Sequence, residues 1–225
     1  MSVRNWALGA VAALVLAMLA PMGQAQAQCA RPGMQSPMVQ LKVAIPQVRY
    51  RHDVDLLGLP KIRERSVESA PPVKGKLLGL TVYGEGYRYR IQDRNWRGSD
   101  GRYCHWLTRV DAELAMPEMT VYVAANYPIG SCEYSVILEH ENTHVRITRG
   151  VMAQFTPRFD AELRAAVARI NPVASPHADL SDVAGFLDQA IKPFMQQLVG
   201  ELARANGVID TPESYRAASA RCQHW

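Results

Sequence analysis

The stretch YSVILEHENTHVRI, residues 134–147, is where the spacing of apolar residues changes from that of strands to that of helices. Apolar residues recur here at helical spacing with little Gly or Pro, which predicts a helix over residues 134–154. Side chains four positions apart lie on one face of a helix, so His140 and His144 can reach the same metal ion. Glu141 lies beside the first histidine, where its carboxylate can take a proton from a metal-bound water.

The residues before this stretch show the spacing of strands. Apolar and polar side chains alternate, which predicts strands over residues 39–45, 77–83, 87–91, 106–114 and 119–125. Residues 64–76 are polar with a Pro pair, and a loop is predicted there. An N-terminal antiparallel β-sheet followed by a helical C-terminal half defines an α+β fold.

The residues after this stretch continue as helices. Pro157 is predicted to end the first helix, and helical spacing resumes over residues 158–170. A long helix is predicted over residues 181–205, and Thr211 followed by Pro212 predicts the start of a last short helix. Residues 28–225 are expected to form a single domain.

Residues 1–27 differ from the rest of the chain. Arg4 precedes a largely apolar run over residues 6–20, and Ala25-Gln26-Ala27 matches an A-x-A cleavage site. Residues 1–27 are therefore predicted to be a cleaved signal peptide, because the run is shorter than the ~20 residues that span a bilayer. The mature chain is expected in the periplasm or secreted, without stable insertion in the membrane.

Composition and charge exclude several classes of protein. The chain has 225 residues, a net charge of +4 and 48% apolar residues, which is too apolar for a disordered protein. A charge this small does not indicate a nucleic-acid partner. Arginine and tyrosine interleave over residues 87–103, but Tyr87 and Tyr89 fall on one strand face and Arg88 and Arg90 on the other. No nucleic acid is expected among the partners.

The cysteines predict disulfides in an oxidising compartment. The chain contains four of them: Cys29, Cys104, Cys132 and Cys222. Residues 106–114 and 119–125 flank a Pro-containing turn, and antiparallel pairing about that turn would place Cys132 near Cys104. Of three possible connectivities, this pairing favours Cys104–Cys132 together with Cys29–Cys222.

The stretch His140-Glu141-x-x-His144 has the H-E-x-x-H pattern, which predicts a zinc site. Both imidazoles can bind one Zn²⁺, and zinc lowers the pKa of a bound water towards ~7. Glu141 is then the predicted general base, because a carboxylate beside the ion can accept the proton of that water. The chemistry that this pattern predicts is hydrolysis.

This segment resembles the zincin metallopeptidases, in which a hairpin or edge strand precedes the H-E-x-x-H helix. More narrowly, residues 77–215 resemble the bacterial predicted secreted Zn-dependent protease family, domain of unknown function 922. The shared features are a β-rich first half, the H-E-x-x-H helix and a later Asp210-Thr211 pair. The resemblance implies a peptidase acting on a peptide or protein substrate, with residues 119–125 as the strand beside that substrate.

Catalytic zinc needs a third protein ligand. The metzincin extension of the motif would need Gly at 147 and His at 150, where this chain has Ile147 and Gly150. The other zincin arrangement places a glutamate on the following helix. It favours Glu162, provided that the break at Pro157 lets a second helix fold back.

Two alternatives to Glu162 remain open. Asp160 lies near it in the same predicted helix, and His177 lies in the loop before the last long helix. Tyr215 is a candidate hydrogen-bond donor to an oxyanion.

A different class of function also remains open: a non-catalytic cell-envelope protein that binds a partner, with a structural or degenerate metal site. A zinc-dependent amidase acting on cell-wall peptide is a third.

Overall fold

The computed structural model describes Cys29, residues 33–66 and residues 76–225. The predicted signal peptide lies outside these residues. Within the part of the chain that is described, no helix is long and apolar enough to cross a membrane.

Two mixed sheets are formed by seven strands in the described residues. The larger sheet has the order β1 (Met38–Ala44), β5 (Tyr103–Ala115), β4 (Gly86–Arg97), and β7 (Val173–Ser175) also pairs with β5. The smaller sheet has the order β2 (Arg49–Arg51), β6 (Met119–Val123), β3 (Gly79–Tyr83). β1 is parallel to β5 and β2 is parallel to β6, while the other pairs are antiparallel.

The helices lie mainly in the C-terminal half. They are α1 (Gly58–Ser66), α2 (Cys132–Ile170), α3 (Ser181–Gly207) and α4 (Pro212–Ser219). The strands come mainly in the N-terminal half, so the predicted α+β class is confirmed. α1 is not indicated by the spacing of its residues, and it includes positions 64–66 of the predicted loop.

Helix α2 continues through Pro157, so the break predicted there is wrong. A proline inside a helix removes one backbone hydrogen bond and costs about 3 kcal/mol. Three apolar side chains near Pro157 are buried: Phe155 before it, and Phe159 and Leu163 after it. Burying each such side chain contributes roughly 1.5–3 kcal/mol to stability. Because their combined burial outweighs the local cost, a single helix of 39 residues results.

β5 and β6 do not form the predicted hairpin, because they belong to different sheets. Residues 116–118 carry the chain from one sheet to the other, and Cys132 is therefore not brought beside Cys104. The disulfides are Cys29–Cys104 and Cys132–Cys222. Disulfide formation is thus confirmed, but the predicted pairs Cys104–Cys132 and Cys29–Cys222 are wrong.

Two groups of buried apolar side chains meet at α2. The larger group lies between the larger sheet and helices α2 and α3, and includes Met152 and Leu187. The smaller group packs the smaller sheet against α1 and the start of α2, and includes Leu59 and Ile137. Residues 140–144 therefore lie where α2 passes from the smaller core to the larger one.

Candidate metal centre

The two histidines of the motif lie on one face of a well-capped helix. Ser131 precedes α2, and its hydroxyl accepts a hydrogen bond from the Tyr134 N–H at 3.1 Å. Ser at this position satisfies one of the free N–H groups of the first turn. One helical turn separates His140 from His144, and their ring centroids are 4.9 Å apart.

Asp210 completes a cluster with these histidines. Nε2 of His140 is 3.2 Å from Nε2 of His144. Oδ1 of Asp210 is 3.1 Å from Nε2 of His140 and 3.2 Å from Nε2 of His144. These three atoms form a nearly equilateral triangle, and the three residues could hold one metal ion.

The triangle has the size of one face of a metal tetrahedron. With bonds of about 2.0–2.1 Å, neighbouring ligands of a four-coordinate ion are about 3.3–3.4 Å apart. The separations of 3.1 and 3.2 Å are close to this value. Two facing Nε2 atoms at this distance also need a proton or a cation between them, because their lone pairs otherwise repel. The donor set therefore fits a bound cation.

Asp210 lies in the short connection between α3 and α4. Thr211 directly after it is the N-cap of α4, as predicted, and forms a capping box with Ser214. The Tyr215 hydroxyl donates a hydrogen bond to Oδ1 of Asp210 at 2.8 Å, and the ring centroid of Tyr215 is 5.5 Å from that of His140. In this arrangement Tyr215 orients Asp210.

The charges in the cluster favour an ionised carboxylate. Partial burial raises the pKa of Asp210, but hydrogen bonds from His140, His144 and Tyr215 lower it by more, so it lies well below its ordinary value. Burial lowers the pKa of His144, but Asp210 and Glu141 raise it by more. A carboxylate held ionised between two imidazoles provides the negative charge that a divalent cation requires.

The segment that carries Asp210 is attached to the start of α2. Cys222 is joined to Cys132 by a disulfide, and Arg221 is 2.8 Å from the Glu139 carboxylate. α4 itself has no buried residue. On its C-terminal side, Asp210 is therefore anchored by covalent and polar contacts rather than by apolar burial.

Glu141 occupies a buried position between α2 and β3. Its Oε2 accepts a hydrogen bond from Oγ1 of Thr81 at 2.8 Å. Burial raises the pKa of Glu141, and the charges of His144 and His140 oppose this rise without cancelling it. A rise in pKa makes the Glu141 carboxylate a stronger proton acceptor, which is the property a general base needs.

Gly79 of β3 provides the space for the Glu141 side chain. The variant Gly79→Ala is therefore expected to lower the free energy of unfolding by about 1–3 kcal/mol. A Cβ at position 79 would be 2.6 Å from Oε1 of Glu141 and 2.7 Å from Cγ2 of Ile137, so β3 or α2 would have to move. Urea unfolding measures the change. Gly86→Ala is the matched control, because a Cβ there meets no heavy atom within 4 Å. Equal losses of stability in both variants would contradict this prediction.

Glu162 is not brought to the histidines, which corrects its assignment as the third ligand. Because α2 does not break, Glu162 lies farther along the same helix than His144, by about 27 Å at 1.5 Å per residue. Asp160 is excluded by the same geometry, at about 24 Å, and its Oδ2 accepts a hydrogen bond from Arg164.

His177 is also outside the cluster. It lies before the start of α3, whereas Asp210 follows its end, about 40 Å away along the helix axis. The His177 ring is 3.1 Å from a carboxylate oxygen of Asp182.

The resemblance implies that residues 119–125 lie beside a substrate, and the structure does not support this. These residues contain β6, which is the central strand of its sheet and has no free edge.

Asp210 is the candidate ligand that spacing around the motif does not reveal. It lies far beyond His144 in the sequence, and it reaches this histidine only because α3 runs back along α2. In the sequence, Asp210 is marked only by the Asp210-Thr211 pair, one of the features shared with the Zn-dependent protease family.

No family model matches this chain, and neither a curated protein nor a solved structure matches it.

Proposed function

We propose that the protein is an exported zinc-dependent hydrolase, a peptidase that cleaves peptide bonds. The observation that carries this proposal is the triangle of His140 Nε2, His144 Nε2 and Asp210 Oδ1, with separations of 3.1 and 3.2 Å. The buried carboxyl group of Glu141 belongs to the same turn of helix. The resemblance of this stretch to zincins supports the same class of reaction.

Zinc is proposed as the metal because H-E-x-x-H is the pattern of zinc sites. Imidazole nitrogen and carboxylate oxygen are both zinc ligands, and catalytic zinc sites use three protein ligands with a fourth position open. Calcium and magnesium prefer oxygen ligands, which two histidines do not supply. The Asp210 side chain is 41% exposed, so solvent and substrate can reach the cluster. When bound, zinc would lower the pKa of a coordinated water to about 7 and polarise a carbonyl group.

Glu141 transfers the proton in the proposed reaction. Water adds to the carbonyl carbon of the substrate, and the Glu141 carboxylate accepts one of its protons. The C–N bond then breaks, and Glu141 delivers this proton to the leaving amine, so that water is divided between the new carboxyl and amino groups. The hydrogen bond from Thr81 restricts the orientation of the carboxylate before the reaction begins.

The substrate is proposed to lie along β3. Zincins bind an extended substrate at an edge strand, and β3 is an edge strand that pairs with β6 among the described residues. Thr81 of β3 contacts Glu141 directly. A peptide paired with the free edge of β3 would therefore pass beside the proposed general base, with main-chain hydrogen bonds holding it extended.

Export is proposed from the N-terminus and the cysteines together. Both disulfides, Cys29–Cys104 and Cys132–Cys222, require an oxidising compartment to persist. The second of them holds the segment that carries Asp210. Location in the periplasm or outside the cell therefore suits the assembly of the metal site.

Metal analysis combined with a peptidase assay tests this proposal. Purified protein is expected to contain one zinc per chain and to cleave members of a quenched-fluorescent peptide library. A chelator should abolish the cleavage, and added Zn²⁺ should restore it. Absence of zinc would overturn the proposal. Stoichiometric zinc without cleavage of any peptide would instead favour the non-catalytic binding protein with a structural metal site.

A further inference from the structure

The second ring nitrogen of His144 has a buried partner on another helix. Nδ1 of His144 is 2.9 Å from Oδ1 of Asn206, and both residues are buried. Asn206 lies in the last turn of α3, four residues before Asp210. The end of α3 therefore contacts one histidine from behind and leads directly to the carboxylate that faces both histidines.

The orientation of the Asn206 amide is determined by its surroundings. Its Nδ2 donates to the Leu202 carbonyl oxygen at 2.9 Å, and this oxygen can only accept a hydrogen bond. Nδ2 is also 3.2 Å from the Tyr83 hydroxyl and 3.2 Å from Oγ1 of Thr148. The NH₂ group must face these oxygens, so the amide oxygen faces His144.

This orientation selects the tautomer of His144. The amide oxygen of Asn206 only accepts, so Nδ1 of His144 must carry the proton of their hydrogen bond. A neutral imidazole protonated at Nδ1 has its lone pair at Nε2, the atom that faces His140 and Asp210. A fixed tautomer and ring orientation are what a metal-ligating histidine requires of its partner.

We propose that Asn206 is a positioning residue of the metal site, which aims the Nε2 lone pair of His144 at the ion. This inference rests on the zinc site of the proposed function. Tyr83 of β3 and Thr148 of α2 both contact the Asn206 amide, so strand and helix together keep Asn206 in place.

Zinc affinity of two variants tests the role of Asn206. The Asn206→Leu variant, which removes the acceptor, should bind Zn²⁺ about 10–100-fold more weakly in competition with a chromogenic chelator. Tyr83→Phe removes one neighbour of the amide but keeps the acceptor, and Leu202 and Thr148 still hold the amide, so it should weaken Zn²⁺ binding far less than Asn206→Leu does. Asn206→Ala replaces Asn206→Leu if the latter does not fold.

A spectroscopic measurement separates positioning from a general structural role. In the zinc-loaded wild type, the Nδ1 proton of His144 should give a resonance in ¹H–¹⁵N spectra that exchanges slowly with solvent. It should persist in Tyr83→Phe and be lost in the variant without an acceptor. Wild-type zinc affinity in Asn206→Leu would overturn the inference while leaving the zinc site intact. If the wild type itself bound no Zn²⁺, the proposed function would fail as well.

Discussion

We expect Glu141→Gln to lower kcat/KM for peptide hydrolysis by about 10²–10⁴-fold, the usual contribution of a positioned general base. Glutamine has the same size, and its amide oxygen can still accept the hydrogen bond from Thr81. It cannot accept the proton of the attacking water or return one to the leaving amine. Because Glu141 is not among the three residues of the cluster, the variant should keep its zinc.

The matched control for this variant is Glu162→Gln. It makes the same chemical change on the same helix, at an exposed position about 27 Å from His144. Hydrolysis rates on one quenched-fluorescent peptide and zinc contents by mass spectrometry compare the two variants with the wild type. A Glu141→Gln enzyme with the wild-type kcat/KM would refute the assignment of Glu141 as general base.

The second large effect is expected from Asp210→Ala, which should weaken zinc binding by more than about 100-fold. Loss of a residue that only hydrogen-bonds to a ligand typically costs about 10–100-fold in affinity. Asp210 supplies one of the three atoms of the triangle and its negative charge, so its loss should exceed that range. Competition with a chromogenic chelator measures the dissociation constant directly.

Glu162→Ala provides the comparison here, since Glu162 was the ligand favoured by resemblance. It should bind zinc as the wild type does. A wild-type dissociation constant in Asp210→Ala, or a large loss of affinity in Glu162→Ala, would show that the ion binds elsewhere. Thermal unfolding without metal distinguishes a lost ligand from a lost fold.

The features that could be predicted from the sequence are local ones. Helical spacing identified the first part of α2 and the shared face of His140 and His144, because these depend on residues within one or two turns. The cap at Thr211 was predictable for the same reason, since a capping box spans only a few residues. The α+β class followed from the change of periodicity near residue 134.

The features that could not be predicted depend on distant packing. The break at Pro157 was expected because the cost of proline is local, whereas the burial of Phe155 and Phe159 that offsets it is tertiary. The predicted disulfide pairs are wrong because they require β5 and β6 to pair, whereas these strands enter different sheets. Asp210 was missed because only the packing of α3 on α2 brings this distant part of the chain back to the histidines.

Because Asp210 lies far beyond His144 in the sequence, the ribosome adds it to the chain several seconds later. A ribosome adds about 5–20 residues per second, so Asp210 is synthesised roughly 3–13 s after His144. Throughout this interval the nascent chain carries two of the three candidate ligands, and Cys132 has no Cys222 to pair with. All three candidate ligands are therefore present only once the chain has been made as far as residue 210.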